Sequence, residues 1–174
     1  MNHGERKTSQ NAVDAEGNFL VESYYVAAFI VGDIMNDELD FEKPVYQQIF
    51  ELYKEQLEKG AILSEQFFVQ HEDEGIRNTA IDLLSDIYNV SDQWSNKWQI
   101  HIPKPDDPQV IDADVKGSLL NFKLRKLEKK IKEIDASIKE SDEDEGIFIL
   151  LQKKKSLTEI KKIICKELKQ VVVK

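Results

Sequence analysis

The chain has 174 residues, a length suited to one domain or to one domain with an appendage, and 33% of them are charged while only seven are Gly and four are Pro. That composition excludes collagen-like, low-complexity and wholly disordered classes and favours helices. The net charge of -9 is unevenly held: residues 1–111 carry 8 Lys and Arg against 21 Asp and Glu, whereas residues 112–174 carry 16 against 12. An acidic front repels phosphates at short range, so any nucleic-acid contact would have to use the C-terminal third. No apolar run approaches the roughly 18 residues that cross a bilayer, and Met1 to Gly17 has no hydrophobic signal core. A single cysteine, Cys165, cannot close an internal disulfide. The expectation is a cytoplasmic protein with no membrane partner.

Residues 1–17 are polar, without apolar period, and read as a flexible lead-in. From Phe19 the apolar residues Leu20, Tyr24, Ala27, Ala28, Val31, Ile34 and Met35 predict one amphipathic helix to about Glu38. Pro44 at a helix start, then Val45, Ile49, Phe50, Leu52, Tyr53 and Leu57, predict a second helix that Gly60 ends. Ser64 caps a short helix to about His71. Glu72, Asp73 and Glu74 form the acidic first turn of another, striped by Ile76, Ala80, Leu83, Leu84 and Ile87. Ser91 opens a short turn with Trp94 and Trp98 on one face, and the three prolines of Gln99 to Pro108 demand an extended segment. Residues 18–108 are thus an acidic helical bundle.

Residues 109–174 differ in kind. Leu120, Leu124, Leu127, Ile131, Ile134 and Ile138 alternate steps of four and three, a coiled-coil seam. Val115, Leu119 and Phe122 add a stripe to the first half of that helix, which predicts burial on two sides by docking on the first domain. The run Ser141 to Gly146 interrupts the pattern with a capping-box-like spacing of Ser141 and Asp144. A second helix follows to Val171, with Ile147, Leu150, Leu157, Ile160, Ile164, Leu168 and Val171 as its seam. Two such helices joined by a few residues fold back as an antiparallel hairpin roughly 40 Å long. The predicted fold class is all-α, a helical bundle followed by a long stalk helix and an antiparallel helical hairpin.

Catalytic chemistry is thinly represented. His3, His71 and His101 stand apart, with no second His or Cys at zinc-ligand spacing. Carboxylates at 72–74 are explained by capping and the helix dipole. Asp112 and Asp114 lack the glycine and closing glutamate of a calcium loop, and no glycine run cradles phosphate. Cys165 lies inside the last helix with no histidine near it in sequence, which suits a structural thiol. The Lys-rich patches, Lys123 to Lys132 with Arg125 and then Lys153 to Lys155, alternate with Glu128, Glu133 and Asp135 and have no interleaved aromatics, so they read as solvated coiled-coil faces rather than a nucleic-acid stripe. Trp94 and Trp98 read as core.

The order of segments carries a resemblance. Asn36 through Phe50 (Asn-Asp-Glu-Leu-Asp-Phe-Glu-Lys-Pro-Val-Tyr-Gln-Gln-Ile-Phe), then Phe68 to Glu74, Ala80 to Ser85 and Trp94 to Pro103, resemble the C-terminal helicase-binding domain of bacterial replicative DNA primase of the DnaG type. The likeness covers about residues 20–172, and its first run is the most specific. It implies a module that docks primase on the N-terminal collar of the hexameric replicative helicase, with no catalytic, metal or cofactor site of its own; the acidic front and the mixed-sign lysine patches, not the resemblance, set the expectation of no nucleic-acid partner. One departure is that only polar sequence precedes the first helical stripe, where that family's bundle opens with a further apolar helix. The expectation is an excised fragment with an incomplete bundle. The alternative class is a stand-alone coiled-coil adaptor or a nucleic-acid-binding helical hairpin, and a third is a small enzyme with an unrecognised site.

A helical wheel locates the expected partner site. Ile149 and Ile163 share a face outside the last helix's seam, Ile160 lies at the seam's edge, and Phe148 also falls outside it. Phe148, Ile149, Ile160 and Ile163 are therefore the predicted partner-binding residues, left in water by a partner helix that covers one seam only.

Overall fold

The computed structural model describes residues 4–13, 19–85, 108–140 and 144–169. Its elements are strands β1 (Lys7–Val13) and β2 (Phe19–Tyr25), then helices α1 (Val26–Asn36), α2 (Pro44–Glu58), α3 (Glu65–Val69), α4 (Glu74–Ser85), α5 (Pro108–Glu140) and α6 (Asp144–Glu167). The fold class is all-α, with one antiparallel β-hairpin at its start. The predicted Trp94/Trp98 turn, the extended Gln99 to Pro108 segment up to residue 107 and the cap at Ser141 lie outside the described residues.

The hairpin corrects two expectations. Residues 7–13 are not a lead-in but a strand, paired from Lys7↔Tyr25 to Val13↔Phe19. The first helix accordingly starts at Val26, seven residues later than Phe19. The physical reason lies at the helix start, where Tyr25 supplies no side-chain cap. Instead the amides of Val26 and Ala27 donate to the carbonyls of Arg6 (3.1 Å) and Gly4 (3.2 Å), so the chain leading into β1 satisfies two of the helix's orphan donors. The aromatic and β-branched run of β2 suits a strand, and its seven residues are too few for a period of four and three to mean helix.

The later boundaries follow their sequence signals. Pro44 occupies the first turn of α2. The Ser64 hydroxyl accepts the Phe67 amide at 3.3 Å, and the Asp73 carboxylate accepts the Ile76 amide at 3.0 Å, capping α3 and α4. At the end of α2, Gly60 (φ 75°) donates to Leu57 and Ala61 donates to Gln56, the paired bonds of a Schellman turn.

Contacts divide the chain into two units, Met1–Val115 and Lys116–Lys174, with the division inside α5. In the first unit α2 packs on α1 and α4, and α3 on α4. Its core centres on Val26, Ile34, Phe68, Ile76 and Ala80, with the Tyr53 and Phe68 rings 4.8 Å apart. The first turns of α5 belong here: Ile111 is buried, and Asp112 Oδ1 accepts the Tyr24 hydroxyl at 2.6 Å.

The second unit is the rest of α5 with α6. Leu124 packs with Ile164 and Cys165, flanked by Leu120, Leu127 and Leu168. Glu128 pairs with Lys161, and Asp135 with Lys154. Eleven residues forward on α5, from Leu124 to Asp135, match eleven back on α6, from Cys165 to Lys154. That is the register of an antiparallel hairpin.

Candidate protein-docking face

The seam of α6 decides which side chains stay outside it. Leu150, Leu157, Ile164 and Leu168 are half-buried or buried as expected, but the intervening seam positions are Lys154 and Lys161. Both are half-buried, and their ammonium groups reach Asp135 and Glu128 on the facing helix, Lys161 Nζ being 2.8 Å from Glu128 Oε1. Cys165, 3% exposed, completes the packing. Ile160 is displaced from the seam that the sequence assigns to it and is 46% exposed. The correction has a simple cause: the steps of four and three through Leu150, Leu157, Ile164 and Leu168 place Lys161 rather than Ile160 at the seam position, where it pairs with Glu128, and the buried Cys165 packs beside Ile164.

Phe148 is 60% exposed, Ile149 61% and Ile163 65%, which with Ile160 places all four expected residues at the surface. They do not form one strip. Ile149, Ile160 and Ile163 fall within about 60° of arc on one flank of α6, while Phe148 sits about 100° from Ile149 at the outer edge. Ile149 and Ile163 are about 21 Å apart along the axis, and the exposed Gln152 and Ser156 lie between them. The face is two apolar ends joined by a polar middle. Leu151, one residue past the seam's Leu150, is 49% exposed, a further surface apolar group rather than a seam residue. Its proximity to Phe148 in sequence was the available signal.

This arrangement offers apolar area on a rigid rod, which suits capture of a groove or another helix. Elsewhere, His71 is committed to local structure: its Nδ1 accepts the Asp73 amide at 3.1 Å, and its ring stands edge-on to Phe67. Among the described residues no group of three or more His, Cys, Asp and Glu side chains is placed to hold a metal ion, and no helix is long and apolar enough to cross a membrane. His101 lies outside the described residues.

Neither a curated protein nor a solved structure matches the chain. A family model matches residues 1–172, nearly the whole length, and the chain belongs to that family, which is described as a domain of unknown function, DUF8430.

Proposed function

We propose that the chain is a docking domain of a bacterial DNA primase, tethering primase to the N-terminal domain of the hexameric replicative helicase during RNA primer synthesis in the cytoplasm. It performs no reaction itself and needs no cofactor. The observation that carries this reading is the exposed face of Ile149, Ile160 and Ile163 on an antiparallel hairpin whose seam is already filled. Buried apolar anchors dominate protein interfaces, and three isoleucines held on one rigid helix are anchors of that kind. The order of the runs from Asn36 to Phe50 and from Phe68 to Glu74 supplies the identity of the partner, through their likeness to the primase domain.

The deciding experiment is isothermal titration of the full chain against the helicase N-terminal domain, beside the variant Ile149→Glu with Ile163→Glu. The expected result is binding that the double variant weakens by about 2 kcal/mol or more, as for a hot-spot pair, with an unchanged thermal melt. Absence of binding by the parent chain removes the helicase and leaves the alternative, a stand-alone coiled-coil adaptor. Equal affinity of parent and variant removes this face from the interface.

A further inference from the structure

The hairpin has a second face, opposite the isoleucines, and its chemistry is different. On a wheel of 100° per residue, Arg125, Lys132 and Lys139 lie about 100–140° to one side of the α5 seam, and Lys155 and Lys162 lie about 110–130° to the corresponding side of the α6 seam. The two sides are one face, because the ion pairs Asp135–Lys154 and Glu128–Lys161 bridge the helices along it. All five cations are exposed, and none has an ion-pair partner among the described residues. In both helices they recur every seven residues, about 10.5 Å along the rod.

The sequence-level objection to a polyanion partner was that these lysines alternate with Glu128, Glu133 and Asp135. The fold removes it. Glu128 and Asp135 are each neutralised by a lysine from across the seam. Glu133 lies on the opposite side of α5, about 140° from the seam in the other direction. Glu159, the exposed carboxylate nearest to Lys155 and Lys162, stands at the outer edge of α6. The unit from Lys116 to Lys174 carries 16 Lys and Arg against 10 Asp and Glu, a net +6.

We propose that this face binds the phosphate backbone of duplex nucleic acid without regard to sequence. Four of the five cations are lysines, point charges suited to phosphates rather than to bidentate reading of base edges. A straight rod with two rows of cations at fixed intervals tracks a polyanion. An anionic bilayer fits less well. On the wheel the exposed Leu151 and Phe148 border Lys162 and Lys155, but two side chains at one end of α6 are short of the continuous apolar face that an interfacial helix buries between flanking cations, and the larger apolar group, Ile149, Ile160 and Ile163, lies on the other side of the hairpin. The acidic first unit opposes binding, but that repulsion is screened within about 10 Å at 0.1 M salt. The proposal uses the face opposite the docking face and stands whether or not the helicase is the partner.

Fluorescence anisotropy of the full chain with two unrelated duplexes, from about 25 to about 200 mM salt, tests it, with an expected slope of log affinity against log salt of about −4.5 for five phosphate contacts. Lys155→Glu with Lys162→Glu is expected to flatten that slope by about 2, as is the gentler Lys155→Gln with Lys162→Gln. Ile149→Glu with Ile163→Glu, on the opposite face, is expected to leave the slope unchanged. Anionic vesicles of phosphatidylserine and phosphatidylcholine run in parallel. The proposal is overturned by no duplex binding at the lowest salt, by a slope indifferent to the lysine substitutions, by strong preference for one duplex, or by vesicle binding where duplex binding is absent.

Discussion

The hydroxyl of Tyr24, at the end of β2, donates to the carboxylate of Asp112, in the first turns of α5, across 88 residues of sequence and 2.6 Å of space. It ties the opening hairpin to the start of the long helix within the first unit, and the Tyr24 ring also lies 4.8 Å from Phe29. Burial first, then the hydrogen bond and the charge of Asp112, raise the Tyr24 pKa far above its ordinary value. Tyr24→Phe is expected to lower unfolding free energy by about 1 kcal/mol at neutral pH, measured by urea titration of the first unit's signal. Asp112→Ala should lose at least as much, and the double variant little more than Asp112→Ala alone, because the Tyr24 bond is already gone once its acceptor is removed.

Tyr53 is a different case. Its ring is 8% exposed, and its hydroxyl is buried with no hydrogen-bond partner among the described residues. Burial, then the charges of Glu5 and Glu65, push its pKa up to about 12. A raised pKa stabilises the fold fully below the unfolded value of about 10, and that contribution is lost as pH climbs from there toward 12, at about 1.4 kcal/mol per unit. Tyr53→Phe deletes both the orphaned hydroxyl and its titration. The expected outcome is stability equal to or up to about 1 kcal/mol above the parent at pH 7, with a shallower fall above pH 10. A destabilised variant at pH 7 would show that the hydroxyl has a partner in solution.

Cys165 reports on the hairpin. At 3% exposure beside Leu124 and Ile164 it can meet an aromatic disulfide reagent only when the helices part. Leu124→Ala is expected to remove about 2–4 kcal/mol of packing from the seam and to speed thiol modification markedly. Modification of the parent at the rate of a free thiol would contradict a closed seam.

How far the sequence reveals this fold can be judged residue by residue. The α5 seam was legible because six apolar residues hold a seven-residue period over 19 positions, a pattern strands cannot mimic. Caps at Ser64 and Asp73 were legible because their chemistry is local. The strand Lys7–Val13 was not: its sequence, Lys-Thr-Ser-Gln-Asn-Ala-Val, has almost no apolar signal, and it is specified by pairing with β2 rather than by its own pattern. The same distinction governs the docking face. Ile149 and Ile163 are legible because a wheel separates them from the seam, whereas the exposure of Ile160 follows from the half-buried Lys161, paired with Glu128, taking the seam position beside it, which apolarity counts do not foresee.

The two helix ends of the first unit make a matched pair for a last test. Both α1 and α2 close with the same two bonds: Glu38 to Met35 and Leu39 to Ile34 after α1, Gly60 to Leu57 and Ala61 to Gln56 after α2. The residue that turns the chain has positive φ in each, 75° at Gly60 and 51° at Glu38. Glycine enters that region without steric cost, whereas a side chain pays about 1 kcal/mol for it. No heavy atom lies within 4 Å of a Cβ built on Gly60, so Gly60→Ala isolates the backbone effect from any clash and is expected to destabilise by about 1 kcal/mol. Glu38→Gly should do the reverse, offset in part by the greater freedom of glycine in the unfolded chain, for a net change between zero and about +1 kcal/mol. Chemical denaturation of the two variants and their double, followed by the far-ultraviolet helix signal, checks both. Opposite signs that add in the double variant match two independent turns, and a loss at Glu38→Gly would mean that the Glu38 side chain contributes more than its backbone costs.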